Sequence, residues 1–455
     1  MDAGEVDEVR DQVDALGRAL AEERFRSAAG IEHRPALVAA FDAHDVAARA
    51  GTAAALRSAG DAALAARVAA LAAERAAAAR EEDWRAADAA ATGAGPDGPV
   101  GVSDAAQALL HERDPGRRSD LARAHEEAVR SAAPPRESAA EVEAAARASL
   151  GFTPPWEDVV QADALLSASD AAWGDVLAWL ASHTEGTARP GGGLDRAGLL
   201  QLLAFRDHDG LFRPAGLQPA LLEGYDGLGV DVRRVRLDAA SRRPQWPGAH
   251  AFDGRVSFRR QGGAADWLGL VDAAGRAAVL RATRPATRDP ALAPAVGALG
   301  AGLLLEPRFL EKATGLERRR SRDVVRRLAL RRLLGLRTAA AALRVAAEAE
   351  RGLSGRAWQE AHREALGRAT GATWPAGLAA RDAGTERHRA LLAGAAWAAA
   401  IRDELRDRFD EDYWRNPRTP EALAGRLAAG SPGPERERPP LARAAEALGE
   451  LLGGS

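Results

Sequence analysis

Asp207-His208-Asp209 is the cluster whose residue types most directly invite chemistry, because an imidazole between two carboxylates can bind a metal ion or act as a general base. Adjacent residues point in different directions, however, and no partner stands at ligand spacing from the three. The expected role is therefore a turn whose carboxylates cap the following segment. His362 and His388 lie in helical text with no acidic or histidine partner at the spacing of a ligand set, and they are expected on solvent-facing sides. His250 is a lone histidine in strand-like text, an arrangement that is usually structural. The chain has no cysteine, which excludes thiol nucleophiles, disulfides and cysteine-zinc sites. No serine nucleophile elbow with histidine and aspartate partners is present. The glycine-rich loops at Gly93 and Gly191 lack the lysine and the strand-to-helix setting of a phosphate cradle.

The most informative stretch is DWLGLVDAAGRAAVL, Asp266 to Leu280. In the motif HExxH, two histidines one helical turn apart hold one zinc ion, and the glutamate between them is general base toward the metal-bound water. Asp272, Ala273 and Arg276 fall where that frame places the first histidine, the glutamate and the second histidine. The frame is set by the flanks: Asp266 and Trp267, a Leu-Val pair, Gly275 and a small apolar run. Upstream stand Phe205 to Asp238, FRDHDGLFRPAGLQPALLEGYDGLGVDVRRVRLD, and the strand-like Ala249 to Phe258. Downstream stand Leu304 to Gly315, LLEPRFLEKATG, an arginine-rich helix to Arg337, and Ala395 to Gly433 with its turn FDEDYWRNP. From about residue 150 onward these segments, in this order, resemble the zinc oligopeptidase family of thimet oligopeptidase and oligoendopeptidase F, of gluzincin type. Before that point the resemblance is weaker because alanine dominates.

The resemblance implies a helical protein with a central cleft, and it places His250 on the strand beside that cleft. It also implies a third zinc ligand, a glutamate, within Val296 to Leu305, where this chain has no acid; the nearest, Glu306, lies beyond it. The family's substrate-facing tyrosine and arginine fall near Leu391 and Ala393. A guanidinium about 4 Å from a divalent cation costs about 8 kcal/mol at an effective dielectric of 20. Zinc hydrolysis by the family's mechanism is therefore not expected, and neither a catalytic residue nor a cofactor is assigned. Asp272, Ala273, Arg276 and His250 are left as vestigial cleft positions. The same stretch also fits any buried helix of an alanine-rich protein, with Asp272 and Arg276 forming a helix-face ion pair.

The elements that must position these residues are mostly helical. From Val6 to about Ala91, apolar residues recur at three-to-four spacing, which predicts long amphipathic helices. Gly93 to Gly101 reads as a loop, and Pro134-Pro135 and Pro154-Pro155 are expected to break helices. Helix resumes from Glu157 to His183, with the tryptophan-bearing part from Ala171 to Leu180 in the core, and Thr187 to Asp195 reads as a lobe boundary. Only Val230 to Phe258 reads as strands. The basic stretch Glu317 to Arg337 is expected to be a solvated face, and Tyr413 with Trp414 an anchor for a helix end. A charged Pro/Gly linker, Gly430 to Arg438, precedes a last helix. The expected architecture is mainly α: an N-terminal helical lobe over 1–190, a central segment with one short sheet and the vestigial helices over 191–313, and a C-terminal helical lobe over 314–455.

Composition narrows the function classes. Sixty-two basic and 65 acidic residues give a net charge of -3, without the basic footprint of a nucleic-acid-binding protein. The acidic N-terminus is unlike a secretory signal, and the longest uncharged stretch, Ala291 to Leu305, is too short to span a bilayer. A cytoplasmic protein without membrane insertion is expected. The leading expectation is a pseudopeptidase that holds a peptide or protein partner in its cleft. Two alternatives stand beside it: an enzyme with metal-independent chemistry built on His250, Asp272 or His208, and a helical scaffold that docks partners on its arginine-rich face.

Overall fold

The computed structural model describes residues 1–152, 156–183, 194–382, 384–434 and 437–453. The alanine-rich start folds into α1 (Ala3–Ala28), α2 (Leu37–Ala43), α3 (Ala50–Ser58) and α4 (Ala62–Ala90). Asp2 opens α1 with a capping box, accepting from the Glu5 N–H at 2.9 Å, and Asp61 opens α4 by accepting from the Leu64 N–H at 3.0 Å. Val13, Leu16, Leu37, Leu56, Val68 and Leu71 close a core of their own among these helices.

Next come β1 (Thr92–Gly95), β2 (Gly98–Gly101), α5 (Val102–Leu109), α6 (Pro115–Ser149) and α7 (Trp156–His183). Gly93 to Gly101, expected to be a loop, is an antiparallel hairpin. Its glycines serve close approach as well as turning, since a Cβ on Gly93 would lie 1.9 Å from the Ala124 carbonyl oxygen. The break expected at Pro134-Pro135 does not occur, and α6 runs through both prolines. Buried Ala124, Ala128, Val129, Ala132, Ala133 and Ala139 pack on either side of them, so tertiary packing outweighs the lost intrahelical bonds. Pro154-Pro155 and the expected boundary at residues 190/191 lie outside the described residues. In α7, Trp173 and Leu180 are buried while Trp179 is exposed.

After α8 (Arg196–Leu202) and α9 (Pro214–Leu228), the strand-like text forms a three-stranded sheet of β3 (Arg236–Asp238), β4 (Gly248–Phe252) and β5 (Arg255–Arg259) in the order β3-β5-β4. β4 and β5 are an antiparallel hairpin turning at Asp253-Gly254, with Gly254 at φ 65°. β3 runs parallel to β5, which leaves β4 on the edge.

The remainder is helical: α10 (Gly263–Ala282), α11 (Leu292–Leu303), α12 (Pro307–Thr314), α13 (Arg318–Ala349), α14 (Gly355–Thr370), α15 (Thr385–Phe409), α16 (Thr419–Ala429) and α17 (Ala442–Gly453). One large core joins these to α6, α7, α9 and the sheet. Tyr413 and Trp414 are buried, and Trp414 meets Phe309 edge-on at 5.0 Å, as an anchor should. His362 and His388 are buried, against expectation. Each lies one turn from buried apolar residues of its helix, Trp358 and Leu366 for His362 and Leu392 for His388, and that face turns inward. The arginine-rich helix is also not a solvated face throughout. Arg337 is buried, donating to the Ala369 and Leu166 carbonyls, to Ser169 Oγ and to Asp170 Oδ1 at 2.6 to 2.9 Å. No described helix is long and apolar enough to cross a membrane.

Candidate functional site

α10 lies against the sheet and α11 packs along it, so the HExxH frame falls where three elements meet. Asp272 and Arg276 face each other one turn apart, with Arg276 Nε 2.7 Å from Asp272 Oδ2 and Nη2 3.2 Å from Oδ1. Both side chains are about a quarter exposed, while Ala273 is buried. This is the i, i+4 ion pair that the spacing permits.

A residue from another helix packs on the neighbouring face of α10. Tyr225 of α9 is fully buried between α10 and α11, and its hydroxyl donates to the Val271 carbonyl at 2.8 Å. Three glycines admit it and the close approach of the helices. A Cβ on Gly275 would lie 2.0 Å from Tyr225 Oη, and one on Gly300 would lie 2.2 Å from it. A Cβ on Gly297 would lie 2.6 Å from the Asp272 carbonyl and 2.8 Å from Arg276 Cγ. Burial, with the Asp272 carboxylate as a second cause, pushes the Tyr225 hydroxyl well above the usual phenol range, so it stays protonated and acts as a donor.

The zinc that the sequence resemblance implies does not fit these residues. The nine histidines include no two that are four positions apart, and among the described residues no group of three or more histidine, aspartate or glutamate side chains is placed to hold a metal ion. Val296 to Leu305 contributes glycines to α11 where an acid would be needed. Glu306, the nearest acid, is buried and turned toward α15, paired with Arg402 at 2.5 Å. Leu391 and Ala393 are apolar positions on α15, and Ala393 is buried.

The other candidates do not converge. His250 sits on β4, where its Nε2 is 3.0 Å from the Pro247 carbonyl oxygen and its ring meets Trp246 edge-on at 5.4 Å. His208 Nδ1 lies 3.0 Å from Asp207 Oδ2, and Arg327 of α13 donates to the same oxygen at 2.8 Å. Burial alone would raise the Asp207 carboxyl; the hydrogen bond from His208 and the charge of Arg327 hold it below the usual range. Asp209 pairs with Arg206 at 3.0 Å. The tripeptide thus makes ion pairs with neighbours instead of capping the next segment. None of Asp272, Ala273, Arg276, His208 and His250 lines the groove at the β4–β5 tip or the apolar cavity among Leu228, Leu292, Leu299 and Ile401.

Two features were not anticipated from sequence. The neighbours of Tyr225 are far off in the chain, so no local pattern points to it, although the spacing Gly297-Gly300 opposite Gly275 marks close helix approach. A surface groove of about 400 Å³ lies where Arg18, Glu22 and Phe25 of α1 meet Phe252, Asp253 and Arg255 at the tip of the β4–β5 hairpin.

The arrangement resembles the oligoendopeptidase fold: mainly helical, with a small sheet flanking one central helix. Similar solved structures include PZ peptidase A with inhibitor 2, at TM-score 0.53 and 11% identity over 86% of this chain and 78% of that one. A putative oligoendopeptidase F from Bacillus anthracis str. Ames matches at TM-score 0.50 and 11% identity, covering 99% of this chain and 85% of that one. An M32 carboxypeptidase from Deinococcus radiodurans R1 is found at TM-score 0.47 and 13% identity, over 99% and 95%. No family model matches the sequence, and no curated protein does. At 11% identity the first two establish the fold alone.

Proposed function

We propose that this chain is a pseudopeptidase: a degenerate member of the oligopeptidase group that hydrolyses nothing through zinc and acts by binding a peptide or protein segment. One observation carries the reading. The positions framed for two histidines and a glutamate hold Asp272, Ala273 and Arg276, the outer two close an ion pair on each other, and the adjoining face of the helix is packed by Tyr225 against Gly275 and Gly300. The binding half is supported by β4, an edge strand to which an extended segment can add, and by the groove at its end, where Phe25 and Phe252 are flanked by Arg18, Glu22 and Arg255. The three lobes, 1–190, 191–313 and 314–455, are part of this proposal, as is a cytoplasmic location.

The test is incubation of the purified chain, with and without added zinc, with a mixed peptide library followed by mass spectrometry. The expected result is an uncleaved library with some peptides retained on the immobilised protein. Chelator-sensitive cleavage would overturn the first half of the reading, and retention unchanged by F25A/F252A would overturn the second.

A further inference from the structure

We propose that the N-terminal third of α13 is a docking surface for an acidic polypeptide segment, separate from the groove at the β4–β5 tip. Arg318, Arg319, Arg322 and Arg326 fall within an arc of about 100° on that helix and span about 12 Å along it. The first three are exposed and Arg326 is half-buried. Among the described residues none of the four has a carboxylate within ion-pair distance, although arginines elsewhere in this chain are extensively paired. The acids nearest in sequence are Glu317 and Asp323, against six arginines between residues 317 and 327. One turn on, Arg327 is engaged by Asp207. Beyond it the half-buried Arg331 donates to the Leu203 carbonyl and is held at about 10 by burial and by Arg206. Past Arg326 these arginines are engaged by other groups of the protein, which concentrates the unpaired charge in the first turns of the helix.

The placement works against the helix itself. Cations in the first turn oppose the macrodipole, and like charges at i, i+4, here Arg318 with Arg322 and Arg322 with Arg326, repel. Such a stripe is relieved by carboxylates brought in from outside, whose charge offsets the repulsion whichever cation presents it. The surroundings favour a polypeptide over the other polyanions. None of the exposed large apolar side chains lies on α12 or α13 to enter a bilayer, and Phe309 and Trp414 near α12 are buried and not free to stack on bases.

The test is fluorescence anisotropy of a labelled decaglutamate peptide with the full chain in dilute salt, alongside thermal melting. R318E/R322E is expected to weaken binding by roughly tenfold or more, while R318K/R322K stays within about threefold and R57E, on the distant exposed Arg57, changes nothing. The same R318E/R322E variant is expected to melt at or above the temperature of the parent, because its new charges suit the helix end. Binding that R318E/R322E leaves unchanged would overturn the proposal. So would tighter binding of an RNA decamer, or of phosphatidylserine vesicles, than of the peptide.

Discussion

Tyr225 sets the packing of α10 against α11 at the scale of single residues. Its ring occupies space that only glycine at 275 and 300 can leave open, so each glycine is tied to the tyrosine. G300A is expected to destabilise the fold by about 1–3 kcal/mol through overpacking. In a Y225A background the added methyl has room, and the penalty should largely vanish. Chemical denaturation of the two single variants and the double checks this, and additive losses would contradict the packing account. Y225F keeps the ring and loses only the hydrogen bond to Val271, an expected cost of about 1 kcal/mol. The Asp272–Arg276 pair was legible from sequence because helical spacing alone brings i and i+4 together. Tyr225 was not, because nothing local says which distant side chain enters a gap between two glycine-lined helices.

At the scale of elements, most helices were legible from apolar periodicity, and the departures share a cause. Pro134-Pro135 fails to stop α6 and Arg337 is drawn into the core because partners remote in sequence supply what the local rule lacks. The same holds for a carboxyl among α1, α4 and α6. Burial and the nearby Glu74, with a further contribution from Glu81, push Glu143 of α6 up to about 7, against the lowering effect of Arg147 and Arg24. The sign follows from linkage. An acid whose folded value lies above its unfolded one binds more protons when folded, so stability falls as pH rises from about 4.5 through 7 and then levels. E143Q should therefore melt higher than the parent at pH 8 and lose that advantage at pH 5. Thermal melts at both values check this, and a variant advantage equal at the two would contradict it.

At the scale of the whole molecule, the fold is an oligoendopeptidase-type scaffold in which α10 and α11 close on a tyrosine and an ion pair. The order of segments from residue 205 to residue 433 made this architecture legible, since elements in the right sequence constrain a fold even when each is weak alone. What lay beyond sequence was the packing of the region between them, which depends on long-range fit. The most direct test of the account is the zinc content of the purified chain, measured by elemental mass spectrometry after incubation with excess zinc and desalting. The account predicts far less than one zinc per chain, equal in the parent and in D272A. One zinc per chain, lost in D272A or on treatment with a chelator, would contradict it.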